Sequence, residues 1–260
     1  MQFRHSRCRD NTPALTRRAG LAILGWLLIL PALALADDPR QIWNGQQPAW
    51  LAAVGKLTIP GVKIEQGYAR HHVEDCSATL VRHGESRDAD IILTAWHCLE
   101  YYRDLSRPIV FAINDRDGNP LRRTARRLVD GGGMHADWAI MRLDRALPGE
   151  LATPIVTTAA ASYSITLAGF SGDPGLGNAG AHLTYHANCS IIGEDRSALS
   201  TDCIAFKGAS GGAVFGVRAK EAQLLGVVSE GDGETVSTYV PITRISDHLD
   251  RYLREAPQLP

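Results

Sequence analysis

Short apolar segments that alternate with turn residues restrict the fold of this chain more than any other feature of its sequence. Glycine and proline, which number 25 and 13 among the 260 residues, stand between many of these segments. Many short strands at regular spacing are typical of β-barrels. The pattern predicts an all-β protein of two six-stranded antiparallel barrels, with strands at residues 50–59, 76–81, 91–94, 109–113, 123–129, 138–143, 165–170, 182–192, 201–206, 212–217, 224–229 and 237–241.

Two further patterns divide the chain. Over residues 146–154 the strand periodicity lapses at two prolines and a glycine. We therefore predict an N-terminal barrel over residues 37–147 and a C-terminal barrel over residues 148–260. After Pro241, apolar residues recur at helical spacing, which predicts a helix over residues 242–255 that packs on the second barrel.

The first 36 residues have the parts of an export signal. A front with five arginines precedes an apolar run over residues 19–35, and Ala34-Leu35-Ala36 forms an A-x-A cleavage pattern. A retained membrane anchor is the alternative, but the run contains Pro31 and is near the lower limit for spanning a bilayer. We predict a signal peptide over residues 1–36, a protein that is periplasmic or secreted, and no stable membrane association after cleavage. The general and the twin-arginine export routes both remain open.

Removal of this segment changes the charge and the cysteine count. Five arginines, Asp10 and Cys8 leave with it, and the remainder has 22 basic and 27 acidic residues, a net charge of -5. That charge gives no reason to expect binding to nucleic acid. Four cysteines remain, and in an exported protein four cysteines most simply form two disulfide bonds.

A serine among glycines is the most unusual local feature. Residues 208–212 read GASGG and continue into an apolar run at residues 213–215. Glycine permits positive φ and the close approach of another chain. An exposed hydroxyl at such a turn can attack a carbonyl when a base is supplied. Taken alone, the segment is more simply a turn that leads into a strand.

Two other segments offer a base and an acid. His97 follows the predicted strand at residues 91–94, and Asp137 begins the predicted strand at residues 138–143. Each has a structural alternative, as a packed histidine or as a turn aspartate. Together with Ser210 they are the residue types of a Ser-His-Asp triad.

These segments resemble the histidine, aspartate and serine blocks of the trypsin/chymotrypsin-like serine endopeptidases. The blocks are TAWHC at residues 94–98, DWAIMRL at 137–143 and GASGG at 208–212, in the chain order that this family uses. Residues 76–81 and 226–231 are similar to the family's strand with a bridging cysteine and to its cleft-lining strand. The resemblance covers most of the chain after residue 36. It implies two chymotrypsin-like barrels and peptide-bond hydrolysis through an acyl-enzyme, with no cofactor and no metal.

The resemblance implies a role for each residue. His97 would take the proton of Ser210, and Asp137 would orient the imidazole and stabilise the imidazolium. The backbone N–H groups of Gly208 and Ser210 would bind the oxyanion. Residues 229–231 would pair with the substrate backbone as an added strand.

The substrate pocket that the resemblance implies contains no acid at its base. The residues placed there by alignment from the nucleophile are Ile204, Ala205, Val228, Ser229 and Gly231. We therefore expect small or medium apolar side chains at the P1 position of the substrate. Asp202 or Glu230 would change that preference if its side chain faced the pocket.

The resemblance also implies two disulfide pairings. Cys76 would pair with Cys98, and Cys189 would pair with Cys203. The alternative is a zinc site with ligands His71, His72, Cys76 and Cys98. Its spacing fits no familiar ligand pattern, and an oxidising compartment favours disulfides.

Ala209 departs from the family pattern. Zymogen-type members have an aspartate at this position, which binds a new N-terminal amine after activation cleavage. Residues 40–45 (RQIWNG) faintly resemble such a cleavage site, with a new chain start at Ile42. Because Ala209 has no carboxylate, we expect no activation of this kind.

The leading hypothesis is a monomeric exported serine endopeptidase that acts on protein or peptide substrates. An inactive family member that binds proteins in the same cleft is the main alternative, but binding alone does not require all three triad residue types. A protease–chaperone would need an appended peptide-binding domain, and the two barrels and one helix use up the residues that follow the predicted signal.

Overall fold

The computed structural model describes residues 38–103, 106–155, 164–218 and 221–255, and the predicted signal peptide lies outside these residues. Its strands are β1 (Gln41–Ile42), β2 (Val54–Glu65), β3 (Tyr68–Arg82), β4 (Asp88–Thr94), β5 (Ile109–Asn114), β6 (Pro120–Asp130), β7 (Ala139–Pro148), β8 (Thr153–Pro154), β9 (Ser164–Phe170), β10 (Leu183–Cys189), β11 (Ile191–Glu194), β12 (Leu199–Thr201), β13 (Ala213–Arg218), β14 (Glu221–Gly231) and β15 (Ser237–Pro241). Its helical segments are α1 (Ser246–Arg254) and 3₁₀ turns at Ala49–Ala53, His97–Leu99, Gly149–Leu151 and Ile242–Arg244.

The first sheet closes into a barrel. Its strand order is β2-β5-β6-β7-β4-β3-β8, and β2 also pairs with β3, so six strands form a closed cylinder. The pairings around the cylinder are antiparallel, while the short β8 adds to β3 in parallel. Inward-facing apolar side chains such as Leu57, Leu80, Ile92 and Phe111 are fully buried and fill the barrel.

The second sheet has eight strands in the order β1-β10-β9-β13-β14-β15-β12-β11 and curls into a half-barrel. Its own core contains Leu167, Val214, Val228 and Tyr239. A further apolar cluster joins side chains from both sheets, such as Ile140 and Phe215, to Ile245 and Leu249 at the C-terminal helix. The predicted all-β class and the predicted C-terminal helix are confirmed. None of the helices in the described residues is long and apolar enough to cross a membrane.

The first hairpin is longer than the sequence suggested. Residues 50–53 form a 3₁₀ turn, and β2 continues past Pro60 and Gly61, where turn residues had predicted its end. The neighbour β5 pairs with β2 only at Lys56–Thr58, so the missing N–H of Pro60 breaks no bond to that strand. Gly61 allows a close approach instead, since a Cβ there would lie 2.8 Å from the carbonyl oxygen of Tyr101.

The segment before the nucleophile also differs from its prediction. Of the strand predicted at residues 201–206, only Thr201 is in a strand, β12. The backbone beyond it bonds to loops and side chains: the N–H of Ile204 donates to Nδ1 of His186 (2.9 Å), and the carbonyl of Ala205 accepts from the N–H of Gly233 (3.1 Å). These bonds replace a β-ladder, so the chain arrives at Ser210 as an irregular segment.

Candidate active site

The three candidate catalytic residues, His97, Asp137 and Ser210, each lie near the end of a strand. His97 opens the 3₁₀ turn that follows β4, Asp137 precedes β7, and Ser210 precedes β13. Residues 38–260 form one compact unit, in which a hydrogen bond joins Asp137 to Ser229 of the second sheet, and His97 and Ser210 line one cleft. Strand ends are rigid supports for side chains that must be placed accurately.

His97 and Asp137 are joined by two hydrogen bonds. Nδ1 of His97 lies 2.8 Å from Oδ2 of Asp137, and the backbone N–H of His97 donates to Oδ1 at 2.9 Å. Asp137 has 1% of its side chain exposed, whereas His97 has 25% exposed. The acid is therefore buried behind the imidazole, and the imidazole keeps its other edge toward solvent.

Ser229 adds a third donor to this acid. Its buried hydroxyl donates to Oδ2 of Asp137 at 2.5 Å. Burial disfavours the charged carboxylate, but the hydrogen bonds from His97 and Ser229 outweigh burial and hold the pKa of Asp137 below its ordinary value. Burial likewise opposes the imidazolium, but the hydrogen bond and charge of Asp137 prevail and raise the pKa of His97.

Ser210 and His97 open onto one cleft of about 350 Å³. The cleft is lined by His97, Met134, Phe206, Lys207, Ser210, Ser229, Glu230 and Gly231. Among the described residues, neither Nε2 of His97 nor Oγ of Ser210 has a hydrogen-bond partner. The structure thus brings a free ring nitrogen and a free hydroxyl to the same cleft without a bond between them.

Two hydrogen bonds fix the orientation of the peptides that carry the N–H groups of Gly208 and Ser210. The carbonyl of Lys207 accepts from the N–H of Gly172 at 2.6 Å, and the carbonyl of Ala209 accepts from the N–H of Gly212 at 2.9 Å. In a planar trans peptide the C=O and N–H point in opposite directions. The N–H groups of Gly208 and Ser210 are therefore turned away from these donors, and no protein acceptor among the described residues receives a hydrogen bond from either group.

Ser77 holds this loop and was missed by sequence reasoning. Its buried hydroxyl donates to the carbonyl of Gly208 and accepts the N–H of Phe170, each at 2.8 Å, and its own N–H donates to the carbonyl of Ser210. The side chain lies on β3, in the other sheet. No local sequence signal marks a serine inside a strand as a clamp for a loop more than 130 residues away.

The four cysteines of the described residues form two disulfide bonds. Cys76 is bonded to Cys98, which follows His97 directly, and Cys189 is bonded to Cys203. These are the pairings that the resemblance implied. Because Cys76 and Cys98 are bonded to each other, neither is a thiolate that could ligate the alternative zinc site.

The five predicted pocket residues differ in their exposure to the cleft. Ser229 and Gly231 line the cleft, whereas Ala205 and Val228 are buried. Ile204 is half-buried and bonded to His186. Gly231 packs directly on Ala205, since a Cβ at Gly231 would lie 2.3 Å from the carbonyl oxygen of Ala205. The segments that would form the two walls are therefore close together.

The two acids near the pocket differ in position. Glu230 lines the cleft, while Oδ1 of Asp202 accepts the N–H of Ser190 at 2.7 Å. Phe206 and Lys207 also line the cleft and were not named from the sequence. The sequence shows that both residues directly precede GASGG, but it does not show that their side chains face the cleft.

Comparisons with known proteins place the chain. The Trypsin family model matches residues 67–249, so the chain belongs to the trypsin family and is a serine endopeptidase. The chymotrypsin-like fold expected from the sequence is confirmed by solved structures. A search of curated proteins finds no match.

Three solved structures illustrate the likeness in fold. A thermostable serine protease, AL20, from an extremophilic microorganism is 19% identical with a TM-score of 0.58, over 79% of this chain and 98% of that one. The protease Anisep from Arthrobacter nicotinovorans is 17% identical with a TM-score of 0.55, over 78% and 93%. The HtrA-type protease AlgW, solved with a tripeptide, is 16% identical with a TM-score of 0.54. That match covers 80% of this chain but only 62% of AlgW.

Proposed function

We propose that the protein hydrolyses peptide bonds with Ser210 as nucleophile, His97 as general base and Asp137 as the orienting acid. The observation that carries this proposal is the bonded His97–Asp137 pair, whose free ring nitrogen shares a cleft with Ser210. A histidine held in one tautomer by a buried carboxylate is the base that a serine hydroxyl requires.

The proposed reaction has two halves. Oγ of Ser210 attacks the substrate carbonyl and its proton passes to Nε2 of His97, while the N–H groups of Gly208 and Ser210 bind the oxyanion. His97 then gives the proton to the leaving amine, and the C–N bond breaks to leave an acyl-enzyme. Water attacks the ester as His97 takes its proton. The ester C–O bond then breaks as His97 gives that proton to Oγ of Ser210, and the acid product leaves.

We propose that the active site forms on folding, without trypsin-type activation. Ala209 stands where zymogen-type members carry the acid that binds the new amine. It is fully buried and packs against Gly169, where an added Cβ would lie 2.7 Å from Cα of Ala209. This packing supports an apolar role for the position.

We propose that Ile204, Ala205, Val228, Ser229 and Gly231 form the P1 pocket. The contact between Gly231 and Ala205 supports a narrow pocket that suits small or medium apolar side chains. Glu230, in the cleft beside it, would then contact substrate side chains outside P1.

The remaining proposals concern the chain as a whole. We propose that residues 1–36 are a signal peptide and that the enzyme is exported and monomeric. Both disulfides are consistent with an oxidising compartment. We also propose that residues 37–147 and 148–260 are two domains, since the boundary falls at the end of β7, Ala139–Pro148.

Labelling with a fluorophosphonate probe tests the catalytic proposal. The probe reacts when Oγ of Ser210 attacks phosphorus and fluoride leaves, which requires the activated serine. Wild type should be labelled once per chain, and the Ser210→Ala and His97→Ala variants should not be labelled. A folded wild type that binds peptides but takes no label would instead support the inactive, protein-binding alternative.

A further inference from the structure

A buried arginine next to the start of the described chain is not used by the proposed chemistry. The guanidinium of Arg40 donates to both carboxylate oxygens of Asp173, at 2.8 and 3.1 Å. Only 2% of the Arg40 side chain and 7% of the Asp173 side chain are exposed. Asp38, which is more exposed, accepts further hydrogen bonds from the same guanidinium. A two-pronged pair of this kind fixes both side chains in orientation as well as in distance.

Arg40 also contacts the nucleophile loop. Its guanidinium carbon lies 4.1 Å from the ring centroid of Phe206, in a cation–π contact. Phe206 lines the cleft, and its carbonyl accepts the N–H of Ala209 at 3.0 Å. The guanidinium of Arg40 therefore contacts Phe206, the residue at which the turn into Ser210 begins.

The partner of Arg40 leads to the same loop by a second route. Asp173 follows Gly172, whose N–H donates to the carbonyl of Lys207. That bond turns the Lys207–Gly208 peptide so that the N–H of Gly208 points away from Gly172. The loop of Asp173 is itself closed by bonds from the N–H groups of Gly177 to its carboxylate and of Ala179 to its carbonyl.

The Arg40 contacts matter because Ala209 stands where zymogen-type members carry an aspartate. Ala209 cannot hold a cation, yet a cation from the N-terminal segment reaches the nucleophile loop by way of Asp173 and Phe206. The residue that supplies it, Arg40, is part of the RQIWNG segment that faintly resembles an activation site. A cut before Ile42 would separate Arg40 from the rest of the chain, and the new amine at Ile42 would meet no carboxylate at position 209.

We propose that Arg40 is a positioning residue for the oxyanion hole: by holding Asp173 and Phe206, it fixes the Gly172–Lys207 bond that directs the N–H of Gly208 into the cleft. This inference rests on the proposed function, because the N–H of Gly208 matters to catalysis only if Ser210 is the nucleophile. The intact N-terminal segment is then needed for full activity.

The first test compares Arg40→Met with Arg142→Met. Arg142 is a matched control because its side chain is 3% exposed and pairs with the buried Asp90, but its other bonds go to Tyr252 and Glu255. Arg40→Met should lower kcat on the order of 10²-fold with little change in KM, since an oxyanion donor acts in the transition state. Arg142→Met should keep wild-type kcat at temperatures where both variants are folded.

Two rescue experiments distinguish a role of Arg40 in positioning the loop from a role in the stability of the fold. Arg40→Lys keeps the positive charge but cannot form the paired hydrogen bonds of a guanidinium to Asp173. Its activity should therefore fall less than that of Arg40→Met. Guanidinium ion at low millimolar concentration should raise the kcat of Arg40→Ala and leave that of Arg142→Ala unchanged. Equal kcat losses in the Arg40→Met and Arg142→Met variants, or no difference between Arg40→Lys and Arg40→Met, would overturn the inference.

Crystal structures of wild type and Arg40→Met give a readout that does not depend on activity. The inference expects the Lys207–Gly208 peptide to turn, or to become disordered, in Arg40→Met only. An unchanged peptide in that variant would contradict the inference even if wild type proved to be an active protease. An inactive wild type with the expected peptide change would instead refute the proposed function, and it would support only the part of the inference that says that Arg40 orients the Lys207–Gly208 peptide.

Discussion

The two sides of the cleft are held by different kinds of contact. On the barrel side, His97 and Asp137 are fixed by side-chain hydrogen bonds, with a disulfide at the next residue, Cys98. On the half-barrel side, the loop before Ser210 is fixed mainly through its backbone, by Ser77 and by the N–H of Gly172. The first side depends on which side chains are present, and the second depends on where distant strands place their donors. Substitutions should therefore act differently on the two sides.

Asp137→Asn should produce the largest loss on the barrel side. An amide cannot both accept from Nδ1–H of His97 and stabilise the imidazolium, so kcat/KM should fall on the order of 10⁴-fold. Asp90→Asn is the matched control, since Asp90 is a buried aspartate that pairs with Arg142 away from the cleft. Steady-state hydrolysis of a peptide substrate measures both, and an Asp137→Asn enzyme within tenfold of Asp90→Asn would remove the triad assignment.

Ser77→Ala should give the next largest loss, on the other side of the cleft. Without the hydroxyl, the buried carbonyl of Gly208 and the partly buried N–H of Phe170 lose their partner. We expect a kcat loss on the order of 10-fold to 10²-fold, and a loss in unfolding free energy of about 1–3 kcal/mol for each unpaired group.

Thr79→Val is the control for that prediction. Thr79 is equally buried two residues along the same strand, but its Oγ1 has no hydrogen-bond partner among the described residues. This variant should keep wild-type kcat and stability in denaturant unfolding. Equal effects of Ser77→Ala and Thr79→Val would show that the Ser77 clamp has no role in the loop.

Ser229→Ala should have a smaller effect than either. It removes one of the donors to Asp137 but leaves both bonds from His97. A lost hydrogen bond to a charged group corresponds to about 10-fold in kcat/KM. Ser237→Ala, which removes an equally buried hydroxyl bonded to the carbonyl of Cys203, should leave kcat/KM unchanged.

The pH dependence should show the smallest changes. Because His97 must be neutral to act as a base, kcat/KM should fall as pH decreases through its pKa, which lies above the ordinary value of 6.5. Asp137→Asn should move this limb to lower pH. A pH–rate profile of wild type with its acid limb below 6.5 would contradict the raised pKa.

The same pair should stabilise the fold over a defined pH range. The raised pKa of His97 contributes stability that is fully present below 6.5 and is lost as pH rises through the folded value. The lowered pKa of Asp137 contributes stability that is present above 3.8 and is lost as pH falls through the folded value. The unfolding free energies of wild type and Asp137→Asn should therefore differ more at about pH 5 than at about pH 9.

Sequence reasoning was strongest where chemistry is concentrated in short segments. The blocks around His97, Asp137 and Ser210 could be recognised because each carries its residue type and its glycines or apolar neighbours together. The all-β class followed from strand periodicity. The predicted end of the first strand, at residue 59, was wrong. Pro60-Gly61 is a turn signal in the sequence, but the long pairing with β3 carries β2 past it.

Contacts between distant segments could not be predicted. Ser77, Gly172 and Arg40 reach the nucleophile loop only through the register of strands and loops in three dimensions. A buried arginine–aspartate pair leaves no mark in a single sequence, since each residue alone reads as a surface charge. Ala209 was the one residue in the sequence that pointed to such a contact. Because it has no carboxylate, the loop before Ser210 must be ordered in another way than in zymogen-type members.

The intact mass of the phosphonylated protein tests most directly the central claim that folding alone forms the active site. After reaction with a fluorophosphonate, we expect one phosphonyl group, on Ser210, in a chain that still contains Arg40. The contrary result is a label found only on chains that begin at Ile42, because that would mean that cleavage creates the activity instead of destroying it.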